Sequence, residues 1–542
     1  MAFYVNDPIF QQVSKIPNIV GKINFILEFQ SKYIDNPGKH IIKDRKNNKQ
    51  SSDLRIKGNE LFISKKYEGA LEMYTYSIAQ AEDKSENLGL AYANRSAVLF
   101  RLEFYEECVK DIERALENNY PDALKPKINE RKEKALSLKA KQKKIQYYQP
   151  MPSINVNDRN PVIECASNCV EIKNDLKQGR CIIATRDIQI GEIIAVESPT
   201  YSILMDAKWC HCHHCLKLCY NLLPCNSCTK ALFCSSICKY DSISYHRYEC
   251  PILATIESLN HHFLIPLRIG ITMRDQYKNF EAGIEESGSV YKSRRYKEIH
   301  NLITNEVNRS PENLFEGALH TAMCYTILRD HTDFFESDED YKDTFVELIF
   351  QHLQTMTCNF HEIVELCPNS DGTYKLINIG VGAYNFMSLF NHSCIPNVDK
   401  TFHGISFCMT AVKTIRKGEQ VFDTYGYYFT NDPKSVRQYN LKQNYYFDCH
   451  CLACEYNWET RNKWNPSDDE YRFLLLPLRN HLIEVERGNL SIAKKFRTEV
   501  IDFMKKIENE MEENKLLYVF HNLQFILMAC NRCFGNIRRS LA

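Results

Sequence analysis

The chain has 542 residues, with 68 Lys plus Arg against 68 Asp plus Glu, so its formal net charge is zero. That balance gives no strong electrostatic case for nucleic acid as the main partner, and no apolar run reaches the roughly 18 residues that a membrane span needs. It nonetheless holds 23 cysteines, gathered mainly at 210–250 and 449–454, and its opening MAFYVNDPIF lacks the charged start and apolar run of a secretory signal. The expectation is a multidomain α+β protein whose cysteines bind metal rather than form disulfides.

Residues 1–50 are mixed and close on the basic, polar run KDRKNNKQSSD, read as a boundary. Residues 51–145 read as helix pairs. Gly58, Phe62, Tyr67, Ala70, Leu71, Tyr74 and Ala79 recur at helical spacing, and Tyr92, Ala97, Tyr105, Cys108, Asp111, Ala115 and Leu116 repeat the theme. Asn59 and Asn94 stand 35 positions apart, and the period resembles that of tetratricopeptide repeats, with ALKPKINERKEKALSLKAK as a closing helix. Arg55, Asn59, Asn94, Lys127 and Arg131 fall where carboxylate-clamp repeats of chaperone cofactors carry basic and amide groups. That resemblance implies capture of an acidic C-terminal chaperone peptide by charge-assisted hydrogen bonds. The plainer reading is a set of solvated helix faces.

Residues 160–206 alternate β-branched residues around the turn at Gly191, as in CIIATRDIQIGEIIAVESP, and read as strands. A cysteine-rich segment follows at 207–252. Residues 253–370 read as mainly helical, with the charged stretch 276–312 as a flexible insertion. Short strands return over 371–430, a cysteine loop occupies 431–460, and 461–542 is amphipathic helix whose apolar spacing suits packing on the body.

Within 207–252 the ligand types come in four close pairs: Cys212 and Cys215, Cys225 and Cys228, Cys234 and Cys238, His246 and Cys250. A short loop lets both members reach one tetrahedral zinc at about 2.3 Å, so eight ligands imply two structural ions. The segment reads as poor in apolar residues, which leaves its folding energy to the metal. Cys210, His211, His213, His214 and Cys219 read as bystanders, with a register shift to Cys210 conceivable. In FDCHCLAC, Cys449, Cys451 and Cys454 supply three thiolates, one short of a tetrahedron.

The stretch SLFNHSCIPNV at 388–398 sets Asn391, His392, Ser393 and Cys394 side by side. Three readings compete: a cysteine nucleophile with its histidine base, a metal ligand with neighbours, or a polar knot satisfying local backbone. The nucleophile reading needs Cys394 free, whereas the three-thiolate loop lacks a fourth ligand that Cys394 can supply. Residues so close in a turn are also expected not to face each other.

GVGAYNFMSLFNHSCIPNV, GEQVFDTYG and YYFDCHC occur in an order that closely resembles the SET domain of the SMYD (SET and MYND domain) protein-lysine methyltransferases, as does the stretch from Gly179-Arg180 to Pro199. The cysteine pairs resemble a MYND zinc finger, inserted in that family into the SET domain, and the helix pairs resemble those of its tetratricopeptide-containing member. The fold implied is an N-terminal tetratricopeptide region, a β-rich SET domain with inserted MYND finger and helical insert, a post-SET zinc loop and a C-terminal helical region. The interleaved pairing of a MYND finger implies one ion on Cys212, Cys215, Cys234 and Cys238, and another on Cys225, Cys228, His246 and Cys250. A third is implied on Cys394, Cys449, Cys451 and Cys454. The resemblance further implies S-adenosylmethionine (SAM) as cofactor, held by Gln178, Gly179, Arg180, Asn359, Asn391, His392, Tyr425 and Phe447, and a lysine channel lined by Tyr425 and Tyr445. The family's first cofactor loop often reads Gly-x-Gly; here it is Gly179-Arg180-Cys181, which puts a side chain at 181.

Methyl transfer from a sulfonium to an amine needs no metal, but it needs a neutral amine, and lysine ordinarily titrates near about 10.4. A narrow aromatic channel lowers that value by desolvation. Tyr425 then contributes alignment and electrostatics rather than base catalysis. The rival expectation is a catalytically silent adaptor that binds partners through finger and repeats. A nuclear and cytoplasmic location is the expectation for either.

Overall fold

The computed structural model describes residues 7–33, 41–141, 151–279, 290–335, 341–369, 371–458, 460, 478–510 and 517–541. Asp7 accepts from the Ile9 amide at the start of α1 (Pro8–Lys15), and Ile9, Phe10 and Val13 form its buried face. Helix α1 and α2 (Ile19–Tyr33) pack on the helices Pro311–His331 and Tyr341–Asn359, with Phe10 and Phe315 rings 5.0 Å apart. The basic run expected as a boundary is half helix. Asn47 caps its amides at Lys49 and Gln50, while Asp44 accepts from the Thr229 amide at 2.8 Å.

Five helices follow: α3 (Asn48–Ile63), α4 (Tyr67–Gln80), α5 (Glu86–Arg101), α6 (Tyr105–Glu117) and α7 (Lys125–Leu138), each packed on the next. Gly58 lets α3 and α4 close together, since a Cβ there would meet the Tyr74 ring at 2.5 Å. The stack docks on the cysteine-rich segment. The fully buried Arg95 pairs with Asp111 through Nε at 2.7 Å and Nη2 at 3.0 Å, and Nη2 also donates to the Leu222 carbonyl at 2.9 Å. This buried ion pair has its donors satisfied, which is the condition for tolerating it. Phe104 stacks on Tyr220, with centroids 5.6 Å apart.

The strands are short and fall into small sheets. β1 (Val170–Asp175) and β2 (Gly179–Ala184) form a hairpin, with Asp175 opposite Gly179. β3 (Ile193–Glu197), β4 (Tyr201–Leu204), β5 (Leu223–Pro224), β6 (Leu232–Phe233), β7 (His361–Pro368), β8 (Tyr374–Ala383), β9 (Asn391–His392), β10 (Val398–His403), β11 (Ser406–Ala411) and β12 (Phe422–Asp423) complete them. The orders are β10-β11-β3, β4-β8-β7, β5-β6 and the parallel pair β12-β9. Strand β7 is an edge, and the chain near its other end covers it. Leu366 donates to the Asn536 carbonyl at 2.9 Å and accepts from the Arg538 amide at 2.8 Å.

Two expectations change. Residues 290–312 are built into the body rather than a flexible insertion. Tyr291 bridges Ile163, Ile299 and Leu302 are buried, and Arg309 donates to the Gln354 carbonyl at 2.8 Å; residues 280–289 lie outside the described residues. The cysteine-rich segment is also not poor in core. Leu216, Leu222, Ala231, Leu232 and Phe233 join the main hydrophobic cluster, and Trp209, Leu218 and Tyr220 join that of the helix stack. Burial therefore adds to its stability beside any metal.

Helices Arg479–Glu486, Leu490–Glu510 and Leu517–Arg532 form a third cluster that takes in Ile190 and Val412. The start of the helical stretch expected from 461 lies outside the described residues. Among those described, no helix is long and apolar enough to cross a membrane.

Candidate active site

Three groups of sulfur and imidazole ligands converge: Cys212, Cys215, Cys234 and Cys238; Cys225, Cys228, His246 and Cys250; and Cys394, Cys449, Cys451 and Cys454, each with ligand atoms within 4.8 Å of one another. The Cys215–Cys234 sulfurs are 3.6 Å apart, Cys225–Cys250 3.8 Å and Cys394–Cys454 3.6 Å. A disulfide is about 2.05 Å, whereas two thiolates on a tetrahedral zinc at about 2.3 Å stand about 3.8 Å apart. The spacing therefore fits zinc, and the donor set is the soft one that zinc prefers. None of the bystanders joins the three four-ligand groups. Cys210 meets His211 Nδ1 and Arg538, His211 Nε2 faces Glu365 at 3.3 Å, and Cys219 donates to Asn221. His214 meets the Tyr245 hydroxyl at 2.9 Å, and Arg268 holds His213. His213 comes within range of His246 and Glu249 as a further acid-imidazole group.

The turn at 391–398 answers the question its sequence raises. His392 Nδ1 accepts the Tyr425 amide at 3.0 Å, which assigns the ring proton to Nε2, 3.4 Å from Cys394 Sγ. The two side chains do face each other, contrary to expectation, because the turn folds around the thiolate group. Burial pulls the His392 pKa down to about 4, so the ring is neutral, and both its nitrogens are engaged. A cysteine nucleophile with a free base does not arise. Asn397 supplies the polar knot: its side chain accepts from the Phe422 amide at 2.8 Å and donates to the Gln420 carbonyl at 3.0 Å, fixing β12 beside β9.

A cavity of about 1320 Å³ opens beside this turn. Gln178, Gly179 and Arg180 line it from the β1–β2 turn, which Asp175 stiffens by accepting from the Lys177 and Gln178 amides at 2.8 and 2.9 Å. Gly179 has φ +72° with open space where a Cβ would stand, so the backbone conformation is what favours glycine. Arg180 donates to the Asn301 carbonyl at 2.7 Å. Cys181 is buried, bonds back to the Lys173 carbonyl and is absent from the cavity wall, so it does not crowd it. Asn359 lines the cavity, and its amide fixes the wall by donating to the Ile303 carbonyl at 2.8 Å. Asn391 and Gln420 also line it, and their buried amide nitrogens have no partner among the described residues. Open polar donors over a cradle of backbone fit a bound polar cofactor.

Tyr425 and Tyr445 line the same cavity with ring centroids 4.7 Å apart; His392 lies 5.2 Å and Phe447 6.3 Å from Tyr425. The Tyr425 hydroxyl donates to the Phe390 carbonyl at 3.1 Å. Burial, and then the Asp423 carboxylate, push the Tyr425 pKa up, and burial pushes Tyr445 up to about 12. Both phenols are therefore neutral near pH 7. Just before Phe390, the buried Glu197 accepts from the Phe386 and Met387 amides, each at 2.9 Å. Asp423, under Tyr425, pairs with Lys400 at 2.6 Å.

Several cavity residues escaped the sequence reading. Asn301, Leu302, Ile303 and Asn305 form a wall, and Tyr446 has φ +64° with its hydroxyl meeting Arg309 at 3.1 Å. Their segment read as a polar insertion, and nothing local marks it. The aromatic pair before Phe447 was the one available signal for Tyr446.

In the helix stack, Asn59 accepts from Tyr74 at 2.7 Å and from Asn94 at 2.8 Å, while Arg131 donates to the Ala93 carbonyl at 2.9 Å and to Ser96 at 2.8 Å. Arg55 is half-buried, with its Nε unpartnered among the described residues, and Lys127 is exposed. The five residues thus share the α3, α5 and α7 side, but the amides and Arg131 are spent on the stack itself.

The fold and this site define a domain of small β-sheets with cysteine groups suited to a soft metal, and known proteins resemble it. The family described as SET domain matches residues 179–426. Protein-lysine N-methyltransferase SMYD4 of Pongo abelii and of Homo sapiens are each 25% identical over 532 residues, covering 74% of this chain and 66% of the relative. N-lysine methyltransferase SMYD2 of Homo sapiens is 22% identical over 364 residues, covering 65% of this chain and 77% of the relative. Residues 179–426 are thus similar to SET domains, and the chain is similar to the SMYD4 proteins over 74% of its length. It spans 66% of the length of those SMYD4 relatives.

Proposed function

We propose that the protein is a SAM-dependent protein-lysine N-methyltransferase. The observation that carries this reading is the close Tyr425–Tyr445 pair on the wall of a cavity that also holds the unpartnered Asn391 amide. The residues for the cofactor are Gln178, Gly179, Arg180, Asn359, Asn391, His392, Tyr425 and Phe447. When bound, SAM supplies an electrophilic methyl on a sulfonium.

The chain's residues do the rest by environment. The aromatic walls of Tyr425, Tyr445 and Phe447 exclude water from a lysine side chain, which favours loss of its proton. Aromatic faces also tolerate a cation. The neutral Tyr425 phenol, tethered to the Phe390 carbonyl, aligns rather than abstracts a proton. His392 holds the Tyr425 backbone in place from the cluster side.

Zinc at the three cysteine groups is structural, since each has four protein ligands and no open position. The pair of groups at 212–250 reads as a MYND finger and the helix stack as tetratricopeptide repeats that recruit partners, an acidic C-terminal chaperone peptide among them. Location in nucleus and cytoplasm belongs to the same proposal.

The test is incubation with labelled SAM and cell lysate, wild type against Tyr425→Phe. Labelled lysine in a protein with the wild type and its loss with the variant is the expected result. No labelling by either leaves the silent adaptor as the function.

A further inference from the structure

The three cysteine groups differ in how much charge they bury. Four thiolates and a zinc ion sum to two negative charges, whereas three thiolates with a neutral imidazole sum to one. In the first group three of four sulfurs are half-exposed, and water can solvate the excess. The second group is mostly buried but carries His246 in place of a thiolate. The group at Cys394, Cys449, Cys451 and Cys454 combines the larger charge with three buried sulfurs. Unpaired charge in the interior is costly.

Arg437 stands at that group. It is fully buried in the first turn of the helix Lys434–Tyr445. Its Nε lies 3.3 Å from Cys394 Sγ, and its Nη2 lies 3.6 Å from Cys454 Sγ and 3.4 Å from the Ala453 carbonyl; Nη1 donates to the Asp432 carbonyl. The next residue, Gln438, donates to the Cys449 carbonyl at 2.6 Å and accepts from its amide at 3.1 Å. The helix is therefore clasped to two separate chain segments that must meet to complete the group.

We propose that Arg437 is the charge-balancing residue of the third metal site, and that its guanidinium keeps zinc there by neutralising the thiolates of Cys394 and Cys454. This rests on the reading of that group as a zinc site. Charge-assisted hydrogen bonds to the sulfurs lower the cost of burying the loaded group and slow the loss of its metal. The same helix ends at Tyr445, so retained metal also holds one wall of the cavity.

The experiment follows zinc release from purified full-length protein into the chelator 4-(2-pyridylazo)resorcinol, with total zinc measured beforehand. Wild type, Arg437→Met and Arg437→Lys are compared, and Arg437→Gln replaces the Met variant if that one is insoluble. The expected result is three zinc per wild-type chain, with one equivalent leaving at least tenfold faster from Arg437→Met and within about threefold of wild type from Arg437→Lys. Wild-type release from Arg437→Met overturns the proposal. A Lys variant as fast as the Met variant overturns it too, because charge is then not the reason. Zinc per chain that is the same in the wild type and in Cys394→Ser removes the third site itself, a failure seen in the stoichiometry before any Arg437 variant is compared.

Discussion

Two regions of this molecule carry similar polar side chains and use them in opposite ways. In the cavity, the amide nitrogens of Asn391 and Gln420 are buried with no partner among the described residues. On the side shared by α3, α5 and α7, the Asn59 and Asn94 amides bond each other and Arg131 is held by Ala93 and Ser96. A buried polar group without a partner costs stability, so the cavity amides await what Asn59, Asn94 and Arg131 already supply within the stack, where Arg55 Nε alone of the five clamp residues is buried without a partner among the described residues. The difference teaches where a ligand's hydrogen bonds are awaited and where they must displace existing ones.

The largest effect that can break this contrast is at Tyr425. Tyr425→Phe is expected to lower methyl transfer at least 100-fold, about 2.7 kcal/mol of barrier, with a thermal midpoint close to wild type; unchanged turnover removes Tyr425 from the reaction. Lys127→Glu comes next, with binding of an acidic C-terminal peptide reduced at least tenfold by fluorescence anisotropy and stability untouched, because Lys127 is exposed. Unchanged peptide affinity makes the stack a scaffold.

Asn391→Leu is expected to weaken SAM about tenfold by calorimetry, about 1.4 kcal/mol, without loss of stability, because no internal bond is removed. Asn94→Leu is its mirror. It breaks the 2.8 Å bond to Asn59 and should cost about 1 kcal/mol of stability while leaving SAM affinity alone. If the two variants behave alike, the contrast fails.

The smallest effect is a pH slope. Burial raises the Glu197 pKa from 4.5 to about 8 against the opposing backbone hydrogen bonds. A raised acid binds its proton more tightly when folded, so its contribution is full below 4.5 and is lost as pH rises to about 8. In thermal unfolding, the difference between wild type and Glu197→Gln should therefore shift against the wild type over that window and level off above it. A difference independent of pH shows that Glu197 does not titrate there.

How far the sequence discloses this site depends on distance along the chain. Cys212 to Cys250 come in close pairs legible from local spacing, whereas which pairs share a site follows from the MYND resemblance and not from the spacing. The third group joins Cys394 to Cys449 across 55 positions, and only the missing fourth ligand of the 449–454 loop points to it. Arg437 leaves no trace at all, since one arginine in a polar helix looks like any other. The 301–305 wall is hidden for a related reason: its backbone carbonyls, held by Arg180 and Asn359, shape the cavity, and carbonyls carry no residue identity. His392 and Cys394 were misjudged because general turn geometry does not include a thiolate group for the turn to fold around.

The chain from Asn536 to Arg538 seals the outer strand of the β4-β8-β7 sheet through Leu366. An unsealed strand is a template on which another chain can add. The short stretch therefore occupies the edge at Leu366, and a form cut ahead of Asn536 is expected to leave that edge open to pairing and to associate more, as light scattering would measure.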